Sequence, residues 1–303
     1  METRTPRIRT KRPPRPKKSS AGKQVTLPRL YEDLAWIWPL LSPPEHYARE
    51  AALLARLYRR LSGRRARAPR PRLLELGAGG GHVLSHLHEA FDCTALDASA
   101  AMLECCERLV PGVAILRADM RSARLGKRFD LVLILDAVDY MSNAVDALAA
   151  LTTAAEHLEP GGVLFVAPTY TRETFADGES ASDTSPGAGV TYLSYVHDPD
   201  PADSEYELIL AYLIRNQRTA RVDLIEDRHV CGLFSRSQWL SMLHAAGFDA
   251  SLLDDSHAWS LFGATLRAET PPAERRKASG KRRELAASRT RPAQRRQGSS
   301  TDR

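Results

Sequence analysis

The run Glu75-Leu76-Gly77-Ala78-Gly79-Gly80-Gly81-His82 constrains this chain more than any other stretch. It follows a short apolar segment, 72–76, and precedes a helical pattern over 81–90. Glycines at 77, 79 and 81 let the chain turn tightly and let a ligand lie against main chain with no Cβ between them. A strand that turns through such a loop into a helix is the nucleotide-side element of a parallel sheet. Two phosphate-binding patterns do not fit. The G-x-G-x-x-G fingerprint needs a third Gly or Ala, but counting from Gly77 places His82 there and counting from Gly79 places Leu84. A Walker loop needs Gly-Lys-Ser/Thr, which this loop lacks. Glu75 would repel phosphate and suits a cationic ligand.

Downstream, strands read at 93–96, 113–117, 129–135 and 163–167 alternate with helices at 99–109 and 144–158. Pro160-Gly161-Gly162 stops the second of these helices. Alternation at this spacing predicts βαβ units, hence a Rossmann-like α/β sheet, mostly parallel, with helices on both faces. Upstream, 31–61 reads as two helices broken at Ser42-Pro43-Pro44. The pattern changes after Tyr170. Residues 172–204 read as loop, 206–214 and 220–227 as antiparallel strands, then a helix at 236–246 and strands at 248–253 and 258–267. A long insertion near the carboxyl edge of a parallel sheet usually serves a ligand pocket, so 172–227 reads as an antiparallel substrate-side insertion.

The charge pattern excludes a basic nucleic-acid groove. The chain has 43 Lys/Arg and 37 Asp/Glu, a net charge of +6 over 303 residues. Ten basic residues and one acid lie in 1–29, and eleven and three in 271–303, so 30–270 is left with 22 and 33, a net of −11. The two tails are too polar to bury an apolar core and read as disordered, with 30–270 as the folded domain. Weak nucleic-acid contact through the tails stays open. No apolar stretch reaches the roughly 18 residues of a membrane-spanning helix. The four cysteines, Cys93, Cys105, Cys106 and Cys231, match neither a zinc site nor a disulfide framework, which points to a reducing, cytoplasmic setting. His82, His86 and His88 lack a supporting acid at metal-ligand spacing, so no metal is expected.

At this point the chain resembles the class I S-adenosylmethionine-dependent methyltransferases of the small-molecule type. The E-x-G-x-G-x-G run is their first motif. Asp97 ends the second strand 20 residues after Gly77, and Asp119-Met120-Arg121 follows the third. Phe129-Asp130 opens the fourth strand, Leu158-Glu159-Pro160-Gly161-Gly162 precedes the fifth, and Gly232-Leu233-Phe234-Ser235-Arg236 with Ala245-Ala246-Gly247-Phe248 is similar to the family's late segment. The resemblance covers about residues 31–267. It implies a seven-stranded sheet and S-adenosyl-L-methionine bound at the carboxyl edge by Glu75, Gly77, Ala78, Gly79, Gly81, Asp97, Ala98, Met102, Asp119, Met120 and Asp136. In the family, Asp97 would take the ribose hydroxyls and Asp119 the adenine amino group.

Methyl transfer to a nitrogen or oxygen is an in-line displacement in which the protein mainly aligns the reactants. A base helps where the acceptor must shed a proton. The candidates are Asp136, Tyr140 and His229, none firmly assigned. Tyr170 and Arg172 are expected to bind the acceptor, with Arg172 suited to a carboxylate. Tyr31, Trp36, Trp38 and Tyr47 form an aromatic cluster that either packs on the sheet or covers the cofactor. The expected function is methyl transfer to a nitrogen or oxygen of a small molecule. Two alternatives stay open: a non-catalytic S-adenosylmethionine-binding protein, and a methylase of RNA or protein assisted by its basic tails.

Overall fold

The computed structural model describes residues 27–62, 69–183, 189–216, 218–254 and 260–267. Both tails beyond these limits, to which the sequence assigns no fold, lie outside the described residues. The main sheet has seven strands in the order β10-β11-β5-β4-β1-β2-β3. These are β1 (Arg72–Leu76), β2 (Asp92–Asp97), β3 (Ala114–Arg117), β4 (Phe129–Leu135), β5 (Leu158–Ala167), β10 (Phe248–Asp254) and β11 (Leu261–Leu266). Pairing is parallel from β5 through β4, β1 and β2 to β3, and antiparallel where β11 meets β5 and β10. The expected seven-stranded, mostly parallel sheet is therefore present.

Every residue of β4 from Leu131 to Leu135 is buried, as a central strand covered on both faces requires. Leu131 and Leu133 pack with α2 (Ala48–Leu61), α3 (Leu84–Leu87) and α4 (Ala100–Leu109). Val132 and Ile134 pack with α5 (Ala144–His157) and α6 (Arg236–Ala245) on the other face. The helix starts are written locally. Ser99 caps α4 by accepting the Met102 amide at 3.0 Å, and Ser235 with Gln238 forms a capping box on α6. The predicted 81–90 helix is shorter, confined to α3, and the positive φ of +76° at Gly81 keeps its expected first residue out of the helix. The stretch read as the first of two helices is a pair of 3₁₀ turns, at Arg29–Tyr31 and Ala35–Ile37, with one short α-turn, α1 (Trp38–Leu41), and a further 3₁₀ turn, Pro44–Tyr47, leads into α2.

The larger correction concerns 172–204, read as loop. It contains two strands, β6 (Gly178–Asp183) and β7 (Val190–His197). With β8 (Glu205–Arg215) and β9 (Val222–Gly232) they form a second, antiparallel sheet in the order β6-β7-β8-β9. One face of this sheet packs Val190, Leu210 and Tyr212 against Leu30, Leu34 and Ile37 of the N-terminal turns. Each buried Leu or Ile contributes about 1.5–3 kcal/mol to that seam. The opposite face exposes Leu193, Tyr195, Leu213 and Leu224.

The glycine loop has a structural duty apart from any ligand. A Cβ on Gly81 would lie 2.5 Å from Cys106 Sγ and 3.3 Å from the Cys106 Cα, so α4 can approach the loop only at a glycine. Gly81→Ala is expected to lower stability by about 1–3 kcal/mol, the usual range for overpacking. Thermal unfolding measures this, and an unchanged midpoint would contradict the packing described.

Candidate active site

The main chain returns from β3 to place β4 beside β1, so the sheet's topology reverses between those two strands. Ligands of open α/β sheets bind outside the carboxyl ends of the strands at such a point. A cavity of about 540 Å³ opens there. Its floor is the glycine loop with Glu75, Gly77, Ala78, Gly79, Gly80 and His82. Its sides carry the residues that follow successive strands: Asp97, Ala98 and Met102, then Asp119 to Arg121, then Asp136, Asp139 and Tyr140, then Thr169 and Tyr170. Its roof is made by Leu27, Pro28, Leu30, Tyr31 and Trp38 together with the inner face of the second sheet, including Tyr192, Tyr206, His229 and Cys231. Leu27 and Pro28, which the sequence reading left in the N-terminal tail, are thus part of the wall.

The acids along the floor are held in different ways. Asp97 accepts the Gly79 amide on Oδ2 and the Ser99 amide on Oδ1, both at 2.8 Å. Burial still leaves its carboxyl above the ordinary range. Asp119 is turned toward Arg121, accepting its amide at 2.8 Å and its guanidinium at 2.6 Å. Arg121 also donates to Asp146 at 2.9 Å. Although burial alone would raise Asp119, the Arg121 hydrogen bonds bring its carboxyl below the ordinary range.

Asp136 sits at φ +41°, a strained conformation for a residue other than glycine, and it opens onto the cavity. Enclosure by the protein pushes its carboxyl up to about 6. Asp139 is 4% exposed; its carboxyl accepts the Thr169 amide and the Tyr206 hydroxyl, each at 3.2 Å. Burial pushes it up to about 8.

A second group of side chains lines the roof. Tyr31 and Tyr140 share a hydroxyl hydrogen bond at 2.7 Å, and Tyr140 meets His229 Nδ1 at 2.8 Å. His229 Nε2 lies 3.1 Å from Asp227 Oδ2. Asp227 also accepts the amides of Arg29 at 3.1 Å and Leu30 at 2.7 Å. The Ser99 hydroxyl donates to the Tyr31 carbonyl, which ties this roof to the start of α4.

Of the residues singled out in the sequence, Glu75, Gly77, Ala78, Gly79, Asp97, Ala98, Met102, Asp119, Met120, Asp136, Tyr140, Tyr170 and His229 all line this one cavity. Two do not. Gly81 faces Cys106, and the Arg172 guanidinium donates to the carbonyls of Pro201 and Asp203. The expectation that Arg172 meets the acceptor is not supported, because its guanidinium is turned to the turn between β7 and β8 and does not line the cavity. Sequence reasoning missed Asp227 and Tyr206, and it weighed His82 only as a metal ligand. His82 Nδ1 instead accepts the Trp38 indole N–H at 3.2 Å, and burial lowers its pKa to about 4.

Comparison with known proteins places this geometry. Residues 45–252 match the model of a methyltransferase domain family. The chain is 31% identical over 211 residues to the dTDP-3-amino-3,4,6-trideoxy-alpha-D-glucopyranose N,N-dimethyltransferase of Streptomyces venezuelae, across 69% of this chain and 86% of that protein. It is 31% identical over 209 residues to the dTDP-3-amino-3,6-dideoxy-alpha-D-glucopyranose N,N-dimethyltransferase of Streptomyces fradiae, across 68% and 79%. The crystal structure of Streptomyces venezuelae DesVI matches with a TM-score of 0.66 at 28% identity, covering 78% of this chain and 96% of that one. The chain belongs to the methyltransferase domain family and is a class I S-adenosylmethionine-dependent methyltransferase. It transfers the methyl group to a nitrogen or oxygen of a small molecule. No helix among the described residues is long and apolar enough to cross a membrane.

The floor of the cavity fits the cofactor on its own chemistry. Two buried polar atoms there have no hydrogen-bond partner, Glu75 Oε2 and His82 Nε2. With Nδ1 accepting from Trp38, the neutral imidazole carries its proton on Nε2. The floor thus offers one unused acceptor and one unused donor, matching the ammonium and carboxylate of an amino acid. A Cβ on Gly79 would meet only Met102 Cε, at 3.3 Å, so the loop's inner face is otherwise clear.

The raised carboxyl of Asp139 has a consequence for stability. Between about pH 4 and 8 the folded state holds a proton on Asp139 that the unfolded chain has lost, so this group's contribution falls as pH rises through that window. Asp139→Asn is expected to remove that share of the slope, narrowing the difference between unfolding midpoints at pH 5 and pH 8. An identical pH dependence in the two proteins would refute the assignment.

Proposed function

We propose that this methyltransferase acts on the amino group of a deoxyamino sugar. The observation that carries this reading is the surplus of carboxyl groups over cations in the cavity wall. Glu75, Asp97, Asp119, Asp136 and Asp139 line it, while Arg121, the one described Lys or Arg in its wall, is held by Asp119 and Asp146. An amine finds hydrogen-bond acceptors and negative charge among these carboxyls, of which Asp139, protonated near neutral pH, supplies no charge. Above the acids, the roof offers Tyr31, Tyr140, Tyr192 and Tyr206 among Leu208, Leu210 and Val196. That mixture suits a sugar with few hydroxyls. The relatives named above are aminosugar N,N-dimethyltransferases, which supports the same acceptor.

In this reading Asp97 takes the ribose hydroxyls of S-adenosylmethionine, and the main chain of Gly77, Ala78 and Gly79 runs beneath the cofactor. Glu75 and His82 hold its amino-acid end. Ala98, Met102, Asp119 and Met120 enclose the adenine, and Asp136 lies toward the sulfonium. The cofactor supplies a methyl carbon activated by a sulfonium, whose sulfur retains the bonding electron pair. The chain's own residues exclude water, aim the amine and draw off its proton. Tyr170, which stacks edge-on against Tyr206 at 5.5 Å, lies on the acceptor side.

Mass spectrometry of products from S-adenosylmethionine with nucleotide-linked and glycosidic deoxyamino sugars tests the acceptor. Gain of one or two methyl groups on nitrogen is expected. Transfer to the matching hydroxy sugars but not the amino sugars would overturn the reading.

Calorimetry tests the cofactor side. Asp97→Ala is expected to weaken S-adenosylmethionine binding by about 1.5–3 kcal/mol, the scale of a hydrogen bond to a charged group. Gly79→Ala is expected to lose more cofactor affinity and less stability than Gly81→Ala. Equal losses of affinity in the two glycine variants would remove Gly79 from the cofactor's contact surface.

A further inference from the structure

Asp227, His229, Tyr140 and Tyr31 form a continuous hydrogen-bonded row whose direction can be worked out from its buried end. Asp227 is 5% exposed and His229 1%. Burial alone would raise Asp227, but the hydrogen bond from His229 and the amides of Leu30 and Arg29 bring its carboxyl below the ordinary range, so it is ionised and can only accept. His229 Nε2 must therefore carry the proton it shares with Asp227. In the neutral imidazole Nδ1 is then bare, so Tyr140 donates to it. The oxygen of Tyr140 in turn accepts the hydroxyl proton of Tyr31. Each donor is thus directed along the row toward Asp227, and the row begins at the Tyr31 hydroxyl, on a residue that lines the cavity.

We propose that this row is a directional proton relay that deprotonates the acceptor's ammonium group, with His229 as the terminal base and Asp227 fixing its tautomer. The proposal rests on the amine reading given above. Amines of this kind are largely protonated near neutral pH and have no lone pair to attack with. In the relay, the ammonium N–H proton passes to the Tyr31 oxygen. The Tyr31 proton passes to Tyr140, and the Tyr140 proton to His229 Nδ1. The amine gains its lone pair, both tyrosines end as neutral as they began, and the imidazole becomes an imidazolium beside the Asp227 carboxylate. One positive charge has moved from the cavity to the second sheet. Burial pushes both phenols upward, so neither rests as a phenolate, and the protons pass through them.

The other ionisable groups around the row do not replace its end point. Cys231 is pushed up by burial and stays a thiol, Tyr206 is committed to Asp139, and Tyr212 is likewise raised by burial. Asp136 faces the same cavity but is not hydrogen-bonded to the row; its hydroxyl partner is Thr169 at 3.5 Å.

The rate profile of the wild-type enzyme against pH, with His229→Gln and Tyr140→Phe beside it, tests the relay. Both variants are expected to lose about a hundredfold in kcat at pH 7, the lower end of the range for general-base catalysis. Each should recover to within a few-fold of wild type by about pH 9.5, where the amine deprotonates unaided. S-adenosylmethionine affinity should be unchanged in both. Wild-type rates at pH 7 in both variants, or an equal loss at every pH, would overturn the relay.

A second measurement needs no turnover. Imidazole nitrogen NMR of the wild-type protein should show His229 as the Nε2–H tautomer, and a bare Nε2 would refute the stated direction. Failure of wild-type enzyme to methylate any amine removes the amine reading and the relay with it. Amine turnover with pH-independent variant effects removes the relay alone.

Discussion

At Gly77 the main chain passes so near the turn after β4 that a Cβ there would sit 2.3 Å from that of Ala137. This close approach is the constraint on which the site depends. It joins the ends of β1 and β4 where the order of strands reverses, and it brings the glycine loop and Asp136 to the same floor. Asp97 reinforces it from the neighbouring strand by holding the Gly79 and Ser99 amides. One carboxylate thereby fixes both the loop and the first turn of α4.

The cavity is closed by contacts of another kind. Nothing in the parallel sheet supplies the roof, which comes from the start of the first described segment and from the second sheet. Asp227 binds the two together through the Arg29 and Leu30 amides, while Leu30, Leu34 and Ile37 seal the seam with apolar surface. The floor is acidic and the roof aromatic, and under the proposed function the floor serves the cofactor and the roof the amine and its proton.

What the sequence revealed follows this division. The loop, the strand ends and the acids after β1 to β4 are local patterns, each carried within a few residues of a strand, and they could be read directly. The roof could not. The Leu30–Asp227 bond spans 197 residues and leaves no mark in either segment. The β7 strand was hidden for a related reason. Val190, Tyr192 and Val196 face inward, but Leu193 and Tyr195 on the outer face are apolar too, so the alternation that identifies a half-exposed strand is blurred. Arg172 shows the opposite error. A cation near the sheet's edge suggested an acceptor contact, but only the fold reveals that the carbonyls of Pro201 and Asp203 take its donors.

The second sheet behaves as a replaceable panel. Along β7 and β8, Tyr192, Ser194 and Val196, then Tyr206, Leu208 and Leu210, present every other side chain to the cavity, and the residues between them face away. None of these positions belongs to a strand of the parallel sheet. Exchanging inward residues at intervals of two redraws the acceptor's surroundings without touching the cofactor floor or the ladder of hydrogen bonds. An inserted or deleted residue does the reverse: it turns the outer side chains inward and erases the wall at once. Drift in acceptor choice within such an architecture should therefore accumulate as substitutions at alternate positions, with strand length held constant.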